Sequence, residues 1–125
     1  MSENEVGEKI LGCAMKVHTA PGPGLLESAY EVCLAYELRK IGIKVERQIA
    51  LPVVYDEIRL DAGYRLDLLV EDIVIVELKV LEKLLPVHTA QLLSYLKIGK
   101  RKLGYLLNFG VPHLRQGIRR VVNNL

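Results

Sequence analysis

The fold is decided by residues 64–80, which read YRLDLLVEDIVIVELKV. Two apolar runs, 64–70 and 73–80, flank the polar pair Glu71-Asp72, and this order predicts two antiparallel strands joined by a tight turn. Residues 73–76 are apolar at every position rather than at alternate positions. A strand of that kind is buried on both faces, so we expect helices to cover the sheet on each side.

The rest of the chain alternates between helical and strand periodicity. The predicted elements are a helix ending near His18, a helix ending at Gly42, one strand or two strands meeting at Pro52 within 43–55, a helix from Pro86 to about Lys97, a buried strand at Gly104–Phe109, and a segment over 113–123 that fits either a strand or a helix. We therefore expect one α/β domain over residues 1–125, with a mixed central sheet flanked by helices.

The composition excludes several classes of protein. Of 125 residues, 50% are hydrophobic and 26% are charged, which is typical of a folded soluble domain rather than a disordered or fibrous chain. No apolar run approaches the roughly 20 residues of a spanning helix, and the start MSENEVGEK lacks the layout of a signal peptide. We expect a cytoplasmic protein with no membrane partner. Cys13 and Cys33 fall on apolar helix faces and are expected to be reduced core residues.

The charges are distributed unevenly along the chain. Residues 97–125 contain seven basic and no acidic side chains, whereas residues 1–96 contain ten basic and fifteen acidic ones. The basic residues of this tail are Lys97, Lys100, Arg101, Lys102, Arg115, Arg119 and Arg120. A basic end permits binding to a polyanion such as DNA, although an ordinary solvated basic face is the simpler explanation of the charge alone.

The apolar strands of the hairpin contain charges that burial should exclude, at Asp67, Glu77 and Lys79. Burial of an unpaired charge costs several kcal/mol, so these side chains need partners or a metal ion. Glu77 and Lys79 share one face of their strand because side chains alternate. A two-residue turn would pair Asp67 with Val76, whereas a three-residue turn or a bulge would place Asp67 opposite Glu77.

Two carboxylates held together attract a hard cation such as Mg²⁺. A cation bound there can stabilise the developing charge of a phosphodiester and lower the pKa of a bound water, while the neighbouring Lys79 orients the water or the phosphate. The pattern is thus consistent with phosphodiester hydrolysis. A structural ion pair between Lys79 and one of the two acids explains the same residues without catalysis.

Polar residues on two predicted helices point to the same face. Glu27 lies within the apolar arc of the second helix, about 60° from Tyr30, and is expected to point inward, although Glu37 lies in that arc too. On the third helix Gln91 and Tyr95 are four residues apart and share a face. Scaffold polar residues are the commoner explanation of such a pair.

The motifs named so far resemble those of a known family. Residues 24–30, GLLESAY, match the GxxExxY pattern of a family of small prokaryotic proteins within the PD-(D/E)XK nuclease-like superfamily. The resemblance extends from about Ile10 to Asn123. It includes YRLD at 64–67, VELK at 76–79 and HTAQLLSYL at 88–96, of which the last also resembles the RecB-type branch.

This resemblance implies a restriction-endonuclease-like fold and assigns roles by position. Asp67 corresponds to the main metal ligand, Glu77 to the second ligand, and Glu27 to the first-helix acid, which would join them. Lys79 corresponds to the catalytic lysine. Gln91 and Tyr95 correspond to supporting or substrate-positioning groups. In RecB-type relatives a histidine near the first motif joins the metal, and His18 is the candidate here, with capping or packing as its other role.

The sequence therefore predicts a nuclease that hydrolyses DNA with Mg²⁺ or Mn²⁺, with RNA left open as a substrate and the basic tail contacting the backbone. A homodimer is expected on symmetry grounds. Two alternatives remain open at this point. One is a non-catalytic nucleic-acid-binding or interaction module that retains the nuclease fold. The other is an interaction protein in which Asp67, Glu77 and Lys79 form a buried ion network.

Overall fold

The hairpin predicted for residues 64–80 lies at the centre of the structure, a computed structural model that describes residues 1–60 and 63–125. The described residues form helices and strands in an α/β order that agrees with the periodicity of the sequence. In chain order the elements are α1 (Glu3–Thr19), α2 (Glu27–Lys40), β1 (Val45–Ala50), β2 (Val53–Tyr55), β3 (Ile58–Leu60), β4 (Arg65–Val70), β5 (Val74–Lys79), α3 (Pro86–Gly99), β6 (Leu103–Asn108), a 3-10 helix (Leu114–Gly117) and β7 (Ile118–Val122).

The connection between β4 and β5 has three residues. Val70 pairs with Val74 and Leu68 pairs with Val76, so residues 71–73 form the turn. Glu71 and Asp72 both adopt left-handed backbone conformations, with φ of 51° and 61°. Of the two registers that the sequence left open, the structure has the one that places Asp67 opposite Glu77.

The central sheet is mixed, as predicted. Its five strands have the order β1-β4-β5-β6-β7, and only the pairing of β5 with β6 is parallel. Helix α3 makes the crossover that a parallel pair requires. Because β6 runs parallel to β5, the end of β6 lies beside the end of β5, where Lys79 is opposite Asn108.

Helices cover both faces of β5, as its uninterrupted apolar sequence predicts. Val74, Val76 and Leu78 pack into the core cluster that contains the inner faces of α1 and α2. Ile75 packs on the other side, in the cluster that contains Leu92 and other residues of α3. The polar residues Glu77 and Lys79 therefore lie on the face that α3 covers, beyond Ile75 and toward the open end of the sheet.

One of the two cysteine predictions is wrong. Cys13 is buried, as expected, whereas Cys33 is exposed, and both thiols are free. The buried face of α2 consists of Tyr30, Glu31, Leu34, Ala35 and Leu38. That face is centred about 70° away from Tyr30 in the direction of Leu38, so Cys33 falls outside it.

The structure also decides the two regions, 43–55 and 113–123, for which the sequence left alternatives open. Pro52 separates β1 from β2, and the two strands belong to different sheets, because β2 pairs only with β3 in a small antiparallel hairpin. Residues 118–122 form a strand antiparallel to β6 after one turn of 3-10 helix. No helix among the described residues is long and apolar enough to cross a membrane.

A buried amide fixes the backbone next to Lys79. Asn108 is fully buried, and its side chain accepts hydrogen bonds from the Leu81 amide (2.9 Å) and the Gly110 amide (3.0 Å) and donates one to the Leu81 carbonyl (3.0 Å). The Phe109 amide also donates to the Lys79 carbonyl at 2.8 Å. These bonds hold the chain that leaves β5 against the end of β6.

We expect Asn108→Ala to lower the free energy of unfolding by about 2 to 4 kcal/mol, because three backbone groups in a buried region lose their partner. Asn4→Ala is the matched control, since Asn4 is exposed and its Oδ1 accepts one bond from Arg120 at the surface. Urea unfolding monitored by circular dichroism measures both variants. An equal, small effect in the two variants would contradict the role given to Asn108.

Candidate metal centre

Asp67 and Glu77 face each other where the regular pairing of β4 with β5 ends. The last paired residues are Leu68 and Val76, and beyond them the strands are linked through side chains. The Asp67 amide donates to Glu77 Oε1 at 3.2 Å, and the Leu78 amide donates to Asp67 Oδ2 at 2.9 Å. Each carboxylate is thus held between the strands by a backbone amide of the opposite strand.

This arrangement changes the acidity of Glu77 strongly. Burial, together with the negative charge of Asp67, raises the pKa of Glu77 from 4.5 to about 9, whereas the Lys79 ammonium acts against this rise. A buried carboxylate beside another carboxylate favours the protonated form because two like charges repel at short range. Near neutral pH, in the absence of a cation, the pair therefore carries less than its full negative charge.

Lys79 and Glu27 lie close enough to this pair to interact with it electrostatically. Partial burial raises the pKa of Glu27, the charge of Asp67 adds to the rise, and Lys79 lowers it. Glu27 was expected to point inward. The residue as a whole is exposed, at the first turn of α2, but it faces the charges of Asp67 and Lys79.

The alternative ion pair at Lys79 is not formed among the residues that the structure describes. Their ion pairs join Lys16 to Glu37, Lys44 to Glu46, Arg47 to Glu31, and Arg101 to Asp72. The partly buried Lys79 side chain influences Glu27 and Glu77 through its charge without a direct contact.

Tyr95 lies beside the two acids, whereas Gln91 is at the surface. Burial raises the pKa of the Tyr95 hydroxyl, followed by the charge of Glu77, the neighbouring Tyr64 and the charge of Asp67. The rings of Tyr95 and Tyr64 are in edge-to-face contact, with centroids 6.2 Å apart. Gln91 is exposed rather than buried.

A second buried acid, which sequence reasoning missed, supports Asp67 from α2. Glu31 Oε2 accepts two hydrogen bonds from the Arg47 guanidinium, at 3.1 and 2.9 Å, and Glu31 Oε1 accepts one from Gln48 Nε2 at 2.6 Å. The same Gln48 nitrogen lies 3.5 Å from Asp67 Oδ1. The three side chains thus connect α2 and β1 to the carboxylate of Asp67.

The sequence contains a pattern from which one of these residues, Glu31, could have been assigned to the site. Glu31 is four residues after Glu27 and therefore shares a helix face with it. Gln48 gave no signal, because it adopts a left-handed conformation with φ of 53° that strand periodicity cannot predict. It lies between the pairs Arg47–Leu68 and Ile49–Leu66, directly across from Asp67.

His18 has a packing role and no contact with the acids. It is buried, its Nε2 lies 2.9 Å from the Val111 carbonyl oxygen, and its ring lies 6.1 Å from that of Phe109. Phe109 in turn stacks on Tyr30 at 4.5 Å. Of the two roles that the sequence left open, the geometry is that of packing, because the buried ring lies near Phe109 and its Nε2 is engaged by a backbone carbonyl.

Comparison with known proteins identifies the family. A family model described as the PD-(D/E)XK nuclease superfamily matches residues 4–121. The chain belongs to this superfamily. Comparisons with curated proteins and with solved structures give no significant match.

The donor set fits the cations that PD-(D/E)XK nucleases generally use, which are divalent metal ions. Within residues 1–60 and 63–125, no three His, Cys, Asp or Glu side chains form a ready-made cluster. Mg²⁺ does not need such a cage, since it is commonly held by one or two carboxylates together with water and substrate phosphate. Asp67 and Glu77 provide two carboxylates whose mutual repulsion a cation would relieve, with Glu27 nearby.

The raised pKa of Glu77 predicts a pH-dependent stability in the absence of metal. The folded protein binds a proton at Glu77 more tightly than the unfolded chain does, so this stabilisation is complete below about pH 4.5 and is lost as the pH rises toward 9. We expect the free energy of unfolding in chelator to fall across this range. Glu77→Gln should remove that dependence and be more stable than the wild type at pH 8.

The matched control is Glu8→Gln, which removes one carboxylate from the exposed surface of α1. It should keep the wild-type dependence on pH. A tenfold change in the acid dissociation constant corresponds to about 1.4 kcal/mol, so urea titrations between pH 5 and 9 can resolve the effect. A wild-type profile that Glu77→Gln leaves unchanged would contradict the assignment.

Proposed function

We propose that the protein is a metal-dependent nuclease that hydrolyses phosphodiester bonds of DNA, using Mg²⁺ or Mn²⁺ held by Asp67 and Glu77. The observation that carries this proposal is the pairing of the two carboxylates near the start of β4 and the end of β5, with Lys79 on the same face of β5 as Glu77. The GxxExxY motif at residues 24–30 supports a more specific assignment, to the GxxExxY family, because its glutamate is Glu27 beside this pair.

Each residue of the site has a role that follows from its position. Asp67 and Glu77 hold the cation, which when bound supplies positive charge to stabilise the charge that develops on the phosphodiester. Glu27, at the start of α2, adds a third carboxylate near Asp67 and Glu77. Lys79 presents an ammonium to the same space and orients the attacked phosphate or the water through charge-assisted hydrogen bonds.

Two groups act through these residues. Glu31 and Gln48 fix the position of the Asp67 carboxylate, since the side chain of Gln48 contacts both Glu31 and Asp67. Asn108 holds the backbone that follows Lys79 and thereby limits the freedom of the lysine. This preorganisation matters because a group displaced by about 1 Å loses much of its effect on a reaction.

Four of the seven basic residues of the tail lie at opposite ends of the sheet. Lys100, Arg101 and Lys102 precede β6, at the end where the hairpin turn lies, and Arg101 forms an ion pair with Asp72 of that turn at 3.0 Å. Arg115 follows β6, at the end where Lys79 and Asn108 are neighbours. The two ends are about 17 Å apart along the strand.

We therefore assign contact with the nucleic-acid backbone to Arg115 rather than to Lys100, Arg101 and Lys102. Arg115 is exposed, and it lines a pocket of about 640 Å³ between the end of α1 and the 3-10 helix. Arg119, on β7, is paired with Leu106 of β6, which is in turn paired with Glu77 of β5.

Three expectations from the sequence stay predictions. They are the single domain over residues 1–125, the cytoplasmic location and the homodimer. The homodimer is tested by light scattering coupled to size-exclusion chromatography.

We expect Lys79→Ala to retain metal binding and to lose cleavage by a factor of roughly 10² or more, because one preorganised charged group is removed while both ligands stay. Calorimetry with Mn²⁺ measures the binding. Cleavage is measured on single-stranded, duplex and branched DNA and on RNA, with Mg²⁺, with Mn²⁺ and with chelator.

Lys9→Ala, on the exposed surface of α1, is the control and should cleave as the wild type does. Metal binding by the wild type without cleavage of any substrate would favour the non-catalytic binding module. Full activity of Lys79→Ala with saturating Mg²⁺ would show that Lys79 takes no part in cleavage.

We expect Arg115→Ala to weaken binding of DNA and to reduce the slope of log affinity against log salt concentration by about 1, since one phosphate contact is lost. Lys102→Ala removes the same charge from the opposite end of β6 and should leave the slope unchanged. Fluorescence anisotropy at a series of NaCl concentrations in chelator compares the two variants. The reverse result would place the nucleic acid at the hairpin end of the sheet.

A further inference from the structure

A small pocket of aromatic character lies next to the two acids. The described residues that line it are Val53, Tyr64, Gln91, Ser94, Tyr95 and Ile98, and its volume is about 260 Å³. Tyr64 immediately precedes β4, and Tyr95 lies on α3, so the pocket is between the start of β4 and the helix that covers the sheet. No role in metal binding accounts for this cavity.

The position of the pocket relates it to the reacting phosphate. Tyr64 is three residues before Asp67, about 10 Å along an extended chain. Its carbonyl oxygen accepts a hydrogen bond from the Leu51 amide at 2.8 Å, which anchors this residue to the segment that follows β1. Tyr95 lies close enough to Glu77 and Asp67 to sense both charges. The pocket therefore adjoins the position proposed for the reacting phosphate.

The walls of the pocket suit a planar heteroaromatic ring. Tyr64 is 45% exposed, and its ring meets the ring of Tyr95 edge to face at an interplanar angle of 63°, so the two rings are not stacked on each other and part of Tyr64 stays accessible to a ligand. Nucleobases stack on such rings whatever their sequence, because every base has a π face. The exposed Gln91 amide offers both a donor and an acceptor to the edge of a base.

Basic residues lie next to the aromatic pair. Tyr64 also lines a second pocket, of about 430 Å³, together with Arg59 and Arg65. The Arg65 side chain is exposed, and its guanidinium donates a hydrogen bond to the Gln48 carbonyl at 3.2 Å. Alternation of stacking rings with basic side chains is typical of surfaces that bind single-stranded nucleic acid.

We propose that the pocket formed by Tyr64, Gln91 and Tyr95 binds one unpaired nucleobase of the substrate, so that the protein acts on single-stranded DNA or on a single-stranded segment. This inference rests on the proposed function, which places a phosphodiester at Asp67 and Glu77. A base inside a duplex is stacked on both sides, and a few kcal/mol are needed to extrude it into such a pocket. A duplex is therefore the poorer ligand.

The test measures binding separately from cleavage. The probes are a fluorescein-labelled 12-nucleotide oligothymidine, an oligouridine of the same length and a blunt duplex, titrated by anisotropy in chelator. We expect the wild type to bind the single strands at least tenfold more tightly than the duplex. Tyr64→Ala should weaken single-strand binding by about tenfold or more, the scale of one lost stacking contact, and leave duplex binding unchanged.

Three further variants separate stacking from other effects of the substitution. Tyr64→Phe keeps the ring and should bind as the wild type does, whereas Tyr64→Leu keeps apolar bulk without a π face and should lose affinity as Tyr64→Ala does. Tyr36→Ala removes an exposed tyrosine of α2 and should have no effect. Circular dichroism verifies that each variant is folded. If Tyr64→Ala does not fold, Tyr64→Leu takes its place in the binding comparison.

Equal affinity for single strands and duplex, together with unchanged binding in Tyr64→Ala and Tyr64→Leu, would overturn the proposal. So would an equal loss in Tyr64→Phe and Tyr64→Ala, because the hydroxyl and not the stacking face would then be responsible. Failure of the proposed function gives a different result. The protein would then prefer single strands in a way that depends on Tyr64, but it would cleave no substrate in Mg²⁺ or Mn²⁺. Cleavage of a duplex without single-strand preference would refute the pocket alone.

Discussion

The central constraint in this protein is the approach of two carboxylates, Asp67 and Glu77, between neighbouring strands. The three-residue connection at 71–73 sets the register that places them opposite each other, and backbone amides of the two strands hold both groups in place. Two acids in this position repel, which explains why the pKa of Glu77 rises to about 9 when burial adds to the charge of Asp67. A proton on one of the two acids relieves this repulsion, and a bound cation would relieve it as well.

The surrounding elements are arranged so that this end of the sheet carries the polar groups. Apolar residues of β5 pack against helices on both faces up to Val76 and Leu78, whereas Glu77 and Lys79 occupy the end of the strand. Arg47 and Gln48 satisfy both oxygens of the buried Glu31, which offsets part of the cost of burying its charge. The same Gln48 connects this network to Asp67, so the stability of α2 against β1 and the geometry of the site are coupled.

Most of the fold could be predicted from the sequence because its elements have strong local signals. The uninterrupted apolar run at 73–76 indicates a strand covered on both sides, and the spacing in α1 places Cys13 in the core. The register of the hairpin could not be predicted, because Glu71-Asp72 fits a turn of two or three residues. Cys33 was misplaced because the orientation of a helix about its axis depends on tertiary packing. Glu27, Asp67, Glu77 and Lys79 were identified from their motifs, and their roles stay proposals.

The distribution of the basic tail shows why contacts distant in sequence are harder to predict. The tail appears as one charged segment along the chain, but the parallel pairing of β5 with β6 places Lys100–Lys102 and Arg115 at opposite ends of the sheet. The most direct test of the metal centre is a crystal of the protein soaked in Mn²⁺ and measured for anomalous scattering. We expect a peak between the carboxylates of Asp67 and Glu77. A fully occupied Mn²⁺ elsewhere, with the two carboxylates still bound only to the backbone amides, would contradict the metal centre proposed for this pair.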